Sequence, residues 1–159
     1  MPHLSTGELA ERELGFQRIY DASPGKVYQA WTEPALLKQW FAPAPWTIAE
    51  AHLDVRVGGS NRFTLRSPEG VDYPYSGVYL EVVPNQRLVY TDAYTEAWIP
   101  SPEPFITVSL TFEEQQGKTR YSVRVLHWSV EARKRHEAMG FHEGWGQCAD
   151  QLAELLAKI

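Results

Sequence analysis

Leu14, Phe16, Arg18 and Tyr20 alternate with Gly15, Gln17 and Ile19 across Glu13 to Asp21, a loose period of two that predicts a first strand. Ser23-Pro24 predicts a helix start, because the serine oxygen can accept from unpaired backbone N–H groups and proline at the first helical position forfeits no hydrogen bond. Val27, Tyr28 and Trp31 form its buried face. Thr32-Glu33-Pro34 interrupts it, and Leu36, Leu37, Trp40 and Phe41 recur at helical spacing through a second short helix. From Trp46 to about Trp128 the chain turns to stretches rich in Val, Ile, Thr, Tyr and Phe bounded by turn residues, which predicts strands near 46–57, 60–66, 72–83, 86–95, 105–114 and 119–128. Gly58-Gly59 suits a tight hairpin with both central residues at positive φ. After Ser129 the period is helical again, with Phe141, Trp145, Cys148, Leu152, Leu155, Leu156 and Ile159 on one stripe of a long closing helix. Gly140, Gly144 and Gly146 weaken its first half, which points to a bend or a close approach. One strand, two short helices, six strands and a long helix make an α+β fold in which the sheet covers the helix's apolar stripe.

Composition narrows the classes of function. A chain of 159 residues can bury roughly 70% of its unfolded surface, enough for one self-sufficient core. The expected organisation is a single domain over 1–159, with residues 1–12 a flexible N-terminal segment. With 15 basic against 20 acidic side chains and no basic run, nucleic acid is not expected as a partner. No apolar run approaches a membrane span and the start lacks the features of a secretory signal, so no membrane association and a cytoplasmic location are expected. The single cysteine, Cys148, has no partner for an intramolecular disulfide.

Several short segments then fall into a known order: Asp21-Ala22-Ser23-Pro24, Val27 to Pro34, Leu37 to Pro43, Arg56-Val57-Gly58-Gly59, Gly77 followed by Leu80 to Pro84, Arg87 to Asp92, Thr119-Arg120-Tyr121, and Gly144-Trp145 before Leu152. From about Phe16 to the C-terminus the chain resembles the helix-grip proteins, a superfamily that includes START lipid carriers, pollen allergens and polyketide cyclases. Within it the resemblance is to the family named after the C-terminal domain of the heat-shock-protein ATPase activator. It implies a curved antiparallel seven-stranded sheet wrapped round the C-terminal helix, two short helices after the first strand, and a cavity between sheet and helix that often holds an apolar small molecule. It implies no particular reaction, no cofactor and no metal.

The candidate site follows from that cavity. Trp40, Tyr75, Phe141 and Trp145 stand on the elements that would surround it, and the chain holds six Trp, eight Tyr and six Phe to furnish core and walls alike. Trp98 precedes Pro100 to Pro104, a segment with too few backbone donors to join a sheet, and is a candidate lid. His127 continues the series Tyr121, Val123, Val125 and should face inward, as a candidate acid or base or as a structural imidazole. Asp92 is its candidate catalytic partner, but both Leu88-Tyr90 and Val89-Thr91 are suited to an inward face, so periodicity leaves the orientation of that strand open. His136 and His142 are six residues apart, about 240° round a helix, which spoils a zinc-binding pair and leaves them as polar surface. His52 belongs to a solvated face, and Cys148 lies on the apolar stripe as a small hydrophobe. Arg56, Arg62 and Arg66 form an outward basic stripe.

These residues support a cofactor-free protein that binds an apolar or aromatic small molecule through Trp40, Tyr75, Trp98, His127, Phe141 and Trp145. A polyketide-cyclase-like or hydratase enzyme using His127 and Asp92 is the alternative within the same cavity. The family's name adds an interaction protein that stimulates a chaperone ATPase, although this chain is too short for the additional N-terminal domain of full-length activators. Homodimerisation suits the fold, without a seam in the sequence to support it.

Overall fold

The computed structural model describes residues 10–159; of the expected flexible segment, 1–9 lie outside the described residues. Ala10 to Arg12 lead into β1 (Glu13–Tyr20), and they are tied down, since the Arg12 carbonyl accepts from the backbone of His127 at 2.9 Å. α1 (Pro24–Thr32) begins as its sequence predicts, with the Ser23 hydroxyl accepting from Lys26 N and proline in the first turn. α2 (Pro34–Leu37) is shorter than expected. Trp40 and Phe41 lie in the turn beyond it, where the Trp40 indole N–H donates to the Ala30 carbonyl at 3.0 Å and pins the turn onto α1.

The strands β2 (Thr47–Leu53), β3 (Ser60–Arg66), β4 (Asp72–Val83), β5 (Arg87–Thr91), β6 (Tyr94–Glu96), β7 (Ile99–Pro100), β8 (Ile106–Gln115) and β9 (Lys118–His127) follow in order. Seven of them form one curved antiparallel sheet in the order β1-β9-β8-β5-β4-β3-β2. Two expectations need correction here. The β2–β3 connection is a wide loop in which Gly58 alone takes a positive φ, and Gly58 and Gly59 pair with Tyr79 of β4 instead of closing a two-residue hairpin. The expected strand 86–95 breaks at Asp92-Ala93, and its far end turns away as β6 to pair with β7, so Pro100 does enter a small sheet.

The C-terminal region is two helices, not one. α3 (Val130–Ala138) is capped by the Ser129 hydroxyl, and Gly140, at φ 97°, reverses the chain before α4 (Phe141–Leu156). Only glycine takes that conformation without strain. α4 turns Phe141, Cys148, Ala149, Leu152, Leu155 and Leu156 into the sheet, against Leu88, Leu110, Tyr121, Val123 and Val125. Each fully buried leucine contributes about 2 kcal/mol of transfer free energy, so α4 is the principal apolar anchor of the fold. Polar ties fix its register: the Tyr20 hydroxyl donates to the Ala149 carbonyl at 2.9 Å, and the Gln151 amide donates to the carbonyls of Trp40 and Ala42 at 2.9 and 2.8 Å. The expected basic stripe is neutralised, with Arg56 paired to Asp54, Arg62 to Glu96 and Arg66 to Asp72.

Candidate functional site

Between the sheet and the N-terminal half of α4 lies a cavity of about 460 Å³. Its size comes from what the helices omit. Gly140 and Gly144 form part of the wall, and a side chain at Gly144 would meet nothing within 4 Å. The opposite wall is aromatic. Phe63 and Tyr75 stack across neighbouring strands at 4.6 Å between ring centres, Phe41 stands edge-on to Phe63 at 5.2 Å, and Trp145 closes against Phe41 and Phe141 at 5.7 Å each. Edge-to-face contacts of this kind add about 1 kcal/mol each beyond burial, which makes the wall stiff.

The residues singled out in the sequence separate into two groups. Tyr75, Asp92, Phe141 and Trp145 line the cavity, together with Trp46, Leu65, Tyr90, Phe105 and His136. Trp40 and His127 stand one layer behind: Trp40 packs on Phe41 at 5.2 Å, and the buried His127 reaches His136. Trp98 stands apart. It is 90% exposed at the tip between β6 and β7, at φ 69°, and is not part of the cavity wall. The strand left ambiguous by periodicity is settled by packing, for Leu88 and Tyr90 join the core beneath α4 while Tyr90 and Asp92 face the cavity.

Asp92 does not pair with His127. Its Oδ1 accepts from the backbone N–H groups of Phe105 and Ile106 at 2.8 and 3.0 Å, so the carboxylate closes the loop that enters β8. Burial pushes its pKa above the ordinary carboxylate value, while those N–H donors pull the other way. His127 instead faces the Arg12 carbonyl through Nδ1 at 2.7 Å and His136 Nδ1 through Nε2 at 2.8 Å. His136 was expected on the polar surface; it is packed among Phe105, His127 and Phe141, with ring centres 5.0 to 5.1 Å away. Burial, and then the His127 ring, push the His136 pKa down to about 4, and burial pushes that of His127 down as well. Both are neutral imidazoles at neutral pH. His142, by contrast, is the exposed residue expected, paired with Glu137 at 2.9 Å. Burial raises the Cys148 thiol to about 12, consistent with a small hydrophobe in the wall. The Tyr75 hydroxyl is buried in the wall without a hydrogen-bond partner, an arrangement that costs about 1 to 3 kcal/mol. Among the described residues no cluster of three or more His, Cys, Asp or Glu could hold a metal ion, and no helix is long and apolar enough to cross a membrane.

Residues 21–157 match the family model described as activator of Hsp90 ATPase homolog 1-like protein. The chain belongs to that family. Its Hsp90-activator-like fold recurs in a crystal structure from Nitrosomonas europaea that is 38% identical, with a TM-score of 0.90 over 94% of this chain and 96% of the other. A protein from Chromobacterium violaceum is similar at 25% identity and a TM-score of 0.74, over 91% and 96% of the two chains. One from Rhodobacter sphaeroides, at 24% identity and a TM-score of 0.82 over 94% and 95%, shares the fold. No protein of curated function is significantly similar in sequence to this Hsp90-activator-like chain.

Proposed function

We propose that this protein binds an apolar, largely aromatic small molecule in the cavity between the sheet and α4. The observation that carries the proposal is the chamber of about 460 Å³ itself, walled by aromatic rings and supplied with few polar groups. Ligand pockets of globular proteins commonly fall between about 300 and 1,000 Å³ and combine apolar walls with a few placed polar atoms. Helix-grip proteins of this kind commonly bind hydrophobic ligands, which supports the same reading. The cyclase or hydratase alternative loses its acid/base pair, because Asp92 and His127 are each engaged with backbone groups elsewhere.

The test is a native mass spectrum of freshly purified protein beside its denatured mass, for the natural chain and for Gly144→Leu. Leucine at 144 projects into open space in the wall. A small-molecule mass carried by the natural chain, lost on denaturation and missing from Gly144→Leu, is the expected result. Equal retention by both proteins places the ligand elsewhere and removes the proposal. A chain that is bare as isolated is then titrated with naphthalene derivatives by calorimetry, and absence of any binding is equally decisive.

A further inference from the structure

Two of the polar groups in the cavity wall, His136 and Asp92, are acceptors, and the protonation of His136 is fixed from outside the cavity; Trp46 and Trp145, whose indole N–H groups only donate, line it as well. A carbonyl oxygen only accepts, so the Arg12 carbonyl 2.7 Å from His127 Nδ1 requires a proton on that nitrogen. The neutral His127 then presents a lone pair at Nε2. His136 Nδ1, 2.8 Å away, must carry the proton between them, which leaves His136 Nε2 as a bare acceptor. No group among the described residues donates to it, and His136 lines the cavity. Burial of both rings supports the neutral forms. Asp92 lines the same cavity, with both backbone N–H bonds on Oδ1 and none on Oδ2. Tyr75 lines the cavity too, but its hydroxyl is occluded and unpartnered. These groups are neighbours: Phe105 donates to Asp92 through its backbone and packs its ring on His136, while Tyr75 packs on Tyr90, two residues before Asp92. Among the described residues no lysine or arginine lines the chamber.

We infer that the cavity selects a ligand whose apolar body carries a hydrogen-bond donor, a hydroxyl or N–H group, and rejects the corresponding carboxylate. The inference rests on the proposed binding role and specifies its ligand class. A hydroxyl or N–H proton satisfies one of the two acceptors, that of His136 or that of Asp92. An ether or a hydrocarbon fills the same space and offers neither acceptor a proton. A carboxylate meets the Asp92 carboxylate with no cation among the lining residues to offset it. A fatty acid is therefore a poor occupant despite the apolar walls.

Isothermal titration of the whole chain near pH 7.5 with 2-naphthol, 2-methoxynaphthalene and 2-naphthoate tests this with probes of one shape. Naphthol is expected to bind at least tenfold more tightly than the ether, and naphthoate most weakly. Ether or naphthoate binding as tightly as naphthol overturns the donor requirement and leaves the binding role standing. Failure of all three to bind, or naphthol binding unchanged in Gly144→Leu, overturns the binding role as well. His136→Phe keeps a ring against Phe105 and removes the acceptor. It should narrow the naphthol-to-ether ratio severalfold, and an unchanged ratio overturns the inference. The comparison of probes on the natural chain does not depend on the variant folding.

Discussion

Asp92 shows how a residue that invites a catalytic reading can be chiefly architectural. One of its oxygens holds two backbone N–H groups at the entrance to β8, where the chain returns from the β6–β7 hairpin. Replacing it with alanine strands both donors and should cost about 2 kcal/mol, whereas Asp92→Asn keeps an amide oxygen in place and should cost less than about 1 kcal/mol. Urea unfolding of the two variants checks this, and equal losses would refute the capping role. The residue-level signals legible in the sequence were those of strict alternation. Tyr121, Val123, Val125 and His127 are all buried, as a period of two requires. His136 was not legible, because α3 is polar all round and its partners arrive from β9 and from the loop before β8. The available signal lay at the ends of that helix: a capping Ser129 before it and Gly140 after Met139 mark a short separate element.

At the scale of elements, the turn at Gly140 decides where the closing helix lies. Its φ of 97° lets α3 pack on the end of β9 while α4 runs back under the sheet. Gly140→Ala imposes a left-handed conformation on a residue with a Cβ and should destabilise the protein by about 1 to 2 kcal/mol. Thermal unfolding measures the loss, and an unchanged midpoint would mean that α3 and α4 can join without it. The glycines of this region were visible in the sequence as a weak point, but not as a break, since apolar spacing from Phe141 onward says nothing about direction before it. The strand containing Asp92 was undecidable for a related reason: Val89 and Thr91 are buried on one face and Leu88 and Tyr90 on the other, so neither face carries a solvent pattern. Trp98 misled for the opposite reason, because a bulky residue beside prolines marks a loop without fixing which way its tip points; it points to solvent.

For the whole molecule, the buried His127 and the partly buried His136 set a pH dependence. Between pH 6.5 and about 4 the unfolded chain accepts a proton at His136 that the folded chain refuses. Stability therefore falls as pH drops through that window, by about 1 to 2 kcal/mol from His136, whose partial exposure screens the charge, and this contribution levels off below pH 4. His127 adds to the loss, and Asp92, whose pKa is raised, opposes it in the acidic part of the range. Urea midpoints at pH 7, 6, 5 and 4.5 should show the decline, and His136→Phe should flatten it; an equal slope in the variant would place its origin elsewhere. The overall architecture was readable because its order of strands and helices is distinctive, while the chamber depends on which side chains are missing. Gly144 is the clearest such omission. A helix interior gains about 1 kcal/mol from almost any residue in place of glycine, so selection on stability alone pushes this position toward a side chain and the chamber toward closure. On the proposed binding role, the same position is a one-codon dial on ligand size: alanine, serine or leucine there would fill the space step by step. The proposed binding role thus makes one position a point at which robustness is exchanged for capacity.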